Sequence, residues 1–251
     1  MQPLLVLWDV DYTLVSTGHV GSRLYEIVLA DLYGLSLPAN LTSMAGRTDT
    51  SIALEVLRAA GLPDPDRELP RFQAALADRA PGLADLVRKM GRVLPGVEPA
   101  LLAIGDAGRS GEMIIQSLLT GNIPALARVK LGALGLAGLV DLSIGAYGDV
   151  SETRGDLVPV ARQNAAGRYG TDFAGHSTVL IGDTPKDIEA AAQHGARSVG
   201  VATGSFTMQQ LIDAGAGVVL PDLTDTRAVL GAVLDYQPED SRPPVSRRAA
   251  S

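Results

Sequence analysis

Cysteine is absent from the 251-residue sequence. Its absence excludes disulfide scaffolds, thiolate metal sites and cysteine nucleophiles. Aromatic residues are scarce at 4%, so a core must rest on Leu, Val, Ile and Ala. Lysine occurs only as Lys89, Lys130 and Lys186. Positive charge is in deficit: the formal net charge is −7 and the pI about 4.9. No basic face of the kind that binds nucleic acid is expected. Long apolar runs are missing too. Pro3 to Trp8 is apolar but short, lacks a preceding basic stretch and closes on Asp9, which excludes a signal peptide or a membrane span there. A cytoplasmic protein with no membrane partner is expected. What is present is ordinary for a folded chain: 46% hydrophobic and 20% charged residues, and enough length for one α/β domain or a core with an insert.

Pro3 to Trp8 reads as a buried strand ending in Asp9-Val10-Asp11-Tyr12-Thr13. Helical periodicity covers Gly21 to Leu32, stopping at Gly34, then Asp49 to Ala60, Asp66 to Arg79 and Pro81 to Met90. Roughly residues 17 to 90 thus form a helical block without a convincing strand. Beyond Leu94-Pro95-Gly96, strands alternate with helices. The expected strands are Met113 to Leu119, Leu139 to Ile144, Thr178 to Ile181, Ser198 to Val201 and Gly217 to Leu220. The expected helices are Val97 to Asp106, Pro124 to Leu134, Asp156 to Arg168, Pro185 to His194, Met208 to Ala214 and Asp225 to Leu234. That alternation predicts βαβ units and an α/β fold built on a doubly wound parallel sheet, Rossmann-like in type. The first strand belongs to the later sheet, because a lone strand cannot stand apart. The expected division is a core of residues 1–16 and 91–236, an inserted helical unit of 17–90, and a disordered tail of 237–251 rich in Pro, Ser and Arg.

Four polar clusters gather where these strands end: Asp9 and Asp11, Thr120 and Asn122, Arg154, and Asp183 and Asp187, three of them directly after a strand. Open parallel sheets bind ligands outside the carboxyl ends of their strands. Asp9 and Asp11 would share a face in a continued strand. Two carboxylates facing one point repel, which calls for a cation or a proton between them. Mg²⁺ suits such oxygen ligands. Asp183 would add a ligand from another strand, and Asp187, one helical turn on, returns to the same side. Any one of these acids alone would be a helix cap or a turn residue; their convergence with Thr120-Gly121-Asn122 is what points to a site.

These segments resemble the motifs of the haloacid-dehalogenase-like hydrolases, specifically the phosphoglycolate-phosphatase-like branch with a helical cap after the first strand. Asp9-Val10-Asp11-Tyr12-Thr13-Leu14 looks like the first motif, Leu119-Thr120-Gly121-Asn122 the second, and Ile181-Gly182-Asp183-Thr184-Pro185-Lys186-Asp187 the fourth. The resemblance runs from about Leu4 to Leu234. It departs at the third motif: where the family supplies a lysine, this chain has Arg154, in Glu152-Thr153-Arg154-Gly155-Asp156. Arg154 is assigned to hold phosphate and balance Asp9, a task its planar fork suits; Lys130 is the alternative.

The resemblance implies a Mg²⁺-dependent phosphatase acting on a small phosphorylated metabolite. Asp9 would be the nucleophile, forming an aspartyl-phosphate, and Asp11 the general acid and base. Thr120, Gly121 and Asn122 would hold the phosphoryl group or the substrate. The metal set would be Asp9, Asp11, Asp183 and Asp187. The cap would close over the site, with Gly46-Arg47-Thr48-Asp49 its substrate-facing segment and Arg47 a candidate for a carboxylate or phosphate. A β-phosphoglucomutase-like sugar-phosphate mutase is the alternative reading. A dehalogenase would not need Asp11, and a phosphonate hydrolase needs a cap lysine, whereas no lysine precedes Lys89. A receiver domain would be far shorter and carry its phosphoryl acceptor on a later strand. A monomer or a homodimer is expected.

Overall fold

A computed structural model describes residues 3–109 and 113–234. Strand β1 (Leu4–Trp8) is followed by β2 (Val15–Ser16) and helices α1 (Val20–Tyr33), α2 (Asp49–Ala59), α3 (Pro65–Arg79) and α4 (Ala84–Met90). Then come β3 (Arg92–Val93), α5 (Val97–Arg109), β4 (Ile114–Leu118), α6 (Pro124–Ala133) and α7 (Leu157–Tyr169). The chain continues through β5 (Thr178–Gly182), α8 (Pro185–Gln193), β6 (Arg197–Val201), α9 (Met208–Asp213), β7 (Val218–Leu220) and α10 (Thr226–Leu234).

The central sheet is parallel, in the order β4-β1-β5-β6-β7. Its strands are apolar on both faces because helices cover both. In β1, Val6 and Trp8 face one layer with α5, α6 and α10, while Leu5 and Leu7 face α7 and α8 on the other. All four are fully buried, each side chain contributing about 1.5–3 kcal/mol relative to exposure. Trp8 also needs a polar partner for its indole N–H, and it donates to Gln116 Oε1 of β4 at 3.1 Å. The α/β architecture expected from the strand–helix alternation is therefore in place.

Helices α1–α4 pack around a core of their own that includes Tyr25, Val28, Leu57, Phe72, Leu76 and Val87, joined by Ile123 and Leu126 from the start of α6. The chain enters and leaves this insert through an antiparallel pair of two-residue strands, Val15 opposite Val93 and Ser16 opposite Arg92. Strands so short carry no periodicity, so the sequence did not announce them.

Two other differences have local causes. The strand expected over Leu139 to Ile144 does not form. Ala137–Leu139 is a 3-10 turn, and Asp141 Oδ1 then accepts both the N–H of Ser143 at 2.9 Å and its hydroxyl at 2.6 Å, an aspartate turn that competes with strand geometry. This segment still lies along β4, donating from Asp141 N to Gln116 O and from Ala146 N to Leu118 O. The helix expected over Pro81 to Met90 begins as a 3-10 turn, Ala80–Leu83, before α4. The tail expected over 237–251, and the last residues of the expected core, lie outside the described residues. Among the described residues no helix is long and apolar enough to cross a membrane.

Candidate active site

The carboxyl ends of β1, β4, β5 and β6 open into a cavity of about 560 Å³ roofed by α1, α2 and the loop before α2. Asp9 leaves β1 with its N–H donated to Ile181 O of β5 at 2.8 Å. The chain then turns sharply: Tyr12 adopts φ 59°, and Leu14 and Val15 both donate to Val10 O at 3.0 Å. Strand geometry ends at this turn, and Asp9 and Asp11 both line the cavity.

Asp9, 5% exposed, turns inward. Its Oδ1 accepts from Arg154 at 2.7 Å. A guanidinium nitrogen of Arg154 also stands 2.6 Å from Asp187 Oδ1, close enough for an ion pair but without hydrogen-bond alignment, which leaves that buried oxygen and Arg154 Nε unsatisfied. The other oxygen of Asp187 accepts the N–H of Thr184 at 3.1 Å and its hydroxyl at 2.7 Å. Asp187 therefore caps α8 and faces the site at once, because the first turn of α8 begins directly at the end of β5.

Asp183 completes the group. Among the described residues, Asp9, Asp183 and Asp187 are the acids whose oxygens come within 4.8 Å of one another. Gly204, after β6, lies so close to Asp183 that a Cβ there would fall 1.7 Å from its Oδ2; this bare backbone lets the carboxylate reach inward. Three buried acids thus gather with one guanidinium, which pairs with Asp9 and Asp187. Burial, with Asp9 and Asp187 beside it, pushes Asp183 up to about 9. Burial raises Asp9 to about 6 against the pull of Arg154. Burial lowers the Arg154 cation's affinity for its proton, but Asp187 and Asp9 outweigh this and keep it charged. The excess negative charge, the hard oxygen donors and the unsatisfied Asp187 oxygen fit a small divalent cation such as Mg²⁺.

Asp11 stands apart from that cluster. Its carboxylate accepts from Lys130 Nζ at 2.6 and 2.7 Å and from Asn122 Nδ2 at 2.7 Å. Asn122 Nδ2 also donates to Thr120 Oγ1 at 2.8 Å, and its Oδ1 accepts from Lys130 at 2.7 Å. Lys130, 3% exposed, thus serves Asp11, and Arg154 serves Asp9. The two basic residues weighed for a single position both enter the site, on different acids. Thr120 and Gly121 line the cavity floor.

Arg47 lies at the cavity wall, but its guanidinium is spent inside the insert. It donates to Ser51 Oγ at 2.8 and 3.1 Å, to Ser51 O at 3.0 Å and to Thr42 Oγ1 at 2.5 Å, and it pairs with Glu55. Tyr25 and the Thr203-Gly204-Ser205 loop also line the cavity without having been expected there, and Asp49, expected in the substrate-facing segment, has its carboxylate turned to Tyr25 and Ile123. That loop was discoverable, since it follows strand β6 just as Thr120-Gly121 follows β4.

Residues 153–226 match the HAD-hydrolase-like family model (Hydrolase_like). Over 246 residues the chain is 28% identical to the "Probable phosphatase IndB" of Dickeya dadantii (strain 3937), covering 93% of this chain and 96% of that protein. The fold is shared with a β-phosphoglucomutase from Clostridium difficile, at a TM-score of 0.67 and 15% identity over 94% and 99% of the two chains. It is also shared with a predicted phosphoglycolate phosphatase from Haemophilus somnus 129PT, at a TM-score of 0.62 and 18% identity over 91% and 98%. With acids at the ends of β1 and β5, a family model matched over residues 153–226 and a phosphatase relative aligned over nearly the whole length, the chain is similar to the haloacid-dehalogenase-like phosphatases and shares its fold with phosphatases and phosphomutases.

Proposed function

We propose that this enzyme is a Mg²⁺-dependent phosphatase that hydrolyses a small phosphate monoester through an aspartyl-phosphate on Asp9, with α1–α4 as the cap that covers the reaction. The observation that carries the reading is the pair of differently served carboxylates. Asp9 lies in an acidic cluster against Arg154, while Asp11, two residues on, is held separately by Lys130 and Asn122. Environments that treat two neighbouring acids differently suit a nucleophile and an acid–base partner.

In this mechanism Asp9 attacks phosphorus in line and the ester P–O bond breaks. Asp11 gives a proton to the leaving oxygen, then takes one from the water that hydrolyses the acyl-phosphate. Lys130 and Asn122 fix the aim of Asp11. Arg154 releases part of its hold on Asp9 to the phosphoryl oxygens, and Thr120 with the Gly121 backbone supports them. Mg²⁺ held by Asp9, Asp183 and Asp187 would supply positive charge beside the transferring group. The cap encloses the cavity and limits water during the first step.

The test is phosphate release from a panel of phosphomonoesters with Mg²⁺ or EDTA, wild type beside Asp9→Asn. Release lost with EDTA and with the substitution is the expected result. Isomerisation of a sugar phosphate in place of release would assign a phosphomutase. Equal release by wild type and Asp9→Asn on every ester would end the proposal.

A further inference from the structure

Asp49 is buried, 6% exposed, and the mechanism above does not use it. An acid in the first turn of a helix ordinarily answers the helix dipole. Here the N-cap of α2 is already Thr48, whose hydroxyl accepts from Ser51 N at 3.2 Å, and the Asp49 carboxylate reaches outward. Its Oδ1 accepts the Tyr25 hydroxyl of α1 at 2.8 Å, and its Oδ2 accepts the N–H of Ile123 at 2.7 Å. Its own N–H donates to Gly121 O at 2.7 Å. One residue of the insert thus grips the loop that carries Thr120 and Asn122 from both sides.

The neighbours of Asp49 extend the seam. Thr50 donates to Gly148 O from both N and Oγ1 at 2.8 Å, and Thr48 Oγ1 donates to Glu152 O at 3.1 Å. Gly148 N in turn donates to Asn122 O at 2.9 Å. These backbones touch with no side chain between them. A Cβ on Gly121 would lie 1.9 Å from Arg47 O, and one on Gly148 would lie 1.8 Å from Gly121 O. If the insert lifted away, the Asp49 carboxylate would lose the Ile123 N–H, and the Gly121 and Gly148 carbonyls would lose their donors on Asp49 and Thr50, all together.

We propose that Asp49 is a positioning residue that registers the seated cap and transmits that state through Gly121 and Ile123 to Asn122, and thereby to the Lys130–Asp11 pair. It acts through Asn122, whose amide spans Thr120, Asp11 and Lys130. The proposal rests on the phosphatase reading for its kinetic consequence, and on the seam alone for its structural one.

The experiment compares wild type, Asp49→Asn, Asp49→Ala and Tyr25→Phe, each characterised by kcat, KM, Tm and hydrogen exchange at the Ile123 amide. Asn can still accept from Ile123 N–H and donate to the Tyr25 oxygen, so its kcat should stay within about threefold of wild type. Asp49→Ala should lose about 10- to 100-fold in kcat, with a much smaller change in KM, because the acid–base chain is misplaced and not the substrate. Its Ile123 amide should exchange faster. If Asp49→Ala fails to fold, Tyr25→Phe decides the matter: a lower kcat with faster Ile123 exchange supports the proposal, and unchanged exchange overturns it. Unchanged kcat in a folded Asp49→Ala, or an equal loss in Asp49→Asn and Asp49→Ala, also overturns it. Absence of phosphate release by wild type would sink the phosphatase reading alone, since the exchange comparison needs no turnover.

Discussion

Arg154 stands between Asp9 and Asp187 with almost no access to water. Removing one partner of a buried charge group leaves the others uncompensated, at a cost of about 3–5 kcal/mol. Arg154→Ala should therefore lower Tm sharply in EDTA, and added Mg²⁺ should restore more of it than in wild type; a Tm shift no larger than wild type's on adding Mg²⁺ would count against a cation at these acids. Arg154 was legible only by position, as a basic residue where a lysine was due. How Arg154 and Lys130 divide the two acids was not legible, because that depends on the turn after Trp8 and on which face of α6 looks inward.

Asp49 makes a pH prediction at the same scale. Burial pushes its carboxyl from 3.8 up to about 6. The groups facing it are Tyr25 from α1, the Ile123 N–H and Lys130 from the α6 side, and Asp11 from the turn after β1. A carboxyl raised on folding favours the folded state most when protonated, so its contribution declines as pH rises between about 4 and 6 and is level above that. Asp49→Asn carries no such slope. The Tm of Asp49→Asn minus that of wild type should increase across this interval and then hold steady to pH 8. A difference independent of pH would show that Asp49 is not perturbed in the folded protein.

Among the elements, those with a clear period were legible and those decided by single hydrogen bonds were not. α1 was readable from its apolar face and from Gly34, which takes the left-handed cap position at φ 68°. The segment after α6 was misread as a strand because Leu139, Val140, Leu142 and Ile144 look like one. The Asp141–Ser143 turn settles it locally, and the segment gains only scattered bonds to β4. α3 was legible from its stripe, with Phe72 fixed between Tyr25 and Tyr33 at ring distances of 5.9 and 6.4 Å. Truncating a buried aromatic costs about 3–5 kcal/mol, so Phe72→Ala should lower the unfolding free energy by about that much and the urea midpoint by that loss divided by the m-value. Retention of the wild-type midpoint would mean that α3 contributes little to the packing of the insert.

For the molecule as a whole, the placement of a helical insert between the first strand and the rest of the sheet was readable, because a helical block without strands interrupts an α/β alternation. The seam between insert and sheet was not. It is made of backbone groups at Gly121, Gly148 and Thr48–Thr50, and backbone contacts leave almost no trace in side-chain pattern.

The two-residue pairing of β2 with β3 also bears on how the chain finds its fold. β1 must align with β4, Leu4 beside Ile114, which closes a loop of about 110 residues in an open chain. When Val15 is already clasped to Val93 by a folded insert, the loop left to close is roughly 30 residues. At about 0.6 kcal/mol for each halving of loop length, the clasp spares the chain about 1 kcal/mol of closure entropy, or about fivefold in rate. An insert weakened by Phe72→Ala should therefore slow refolding of the sheet as well as lower stability, as stopped-flow refolding followed by Trp8 fluorescence would report. Those two short strands, besides joining two units, act as a splice that lets a sheet with distant partners assemble as though its sequence were much shorter.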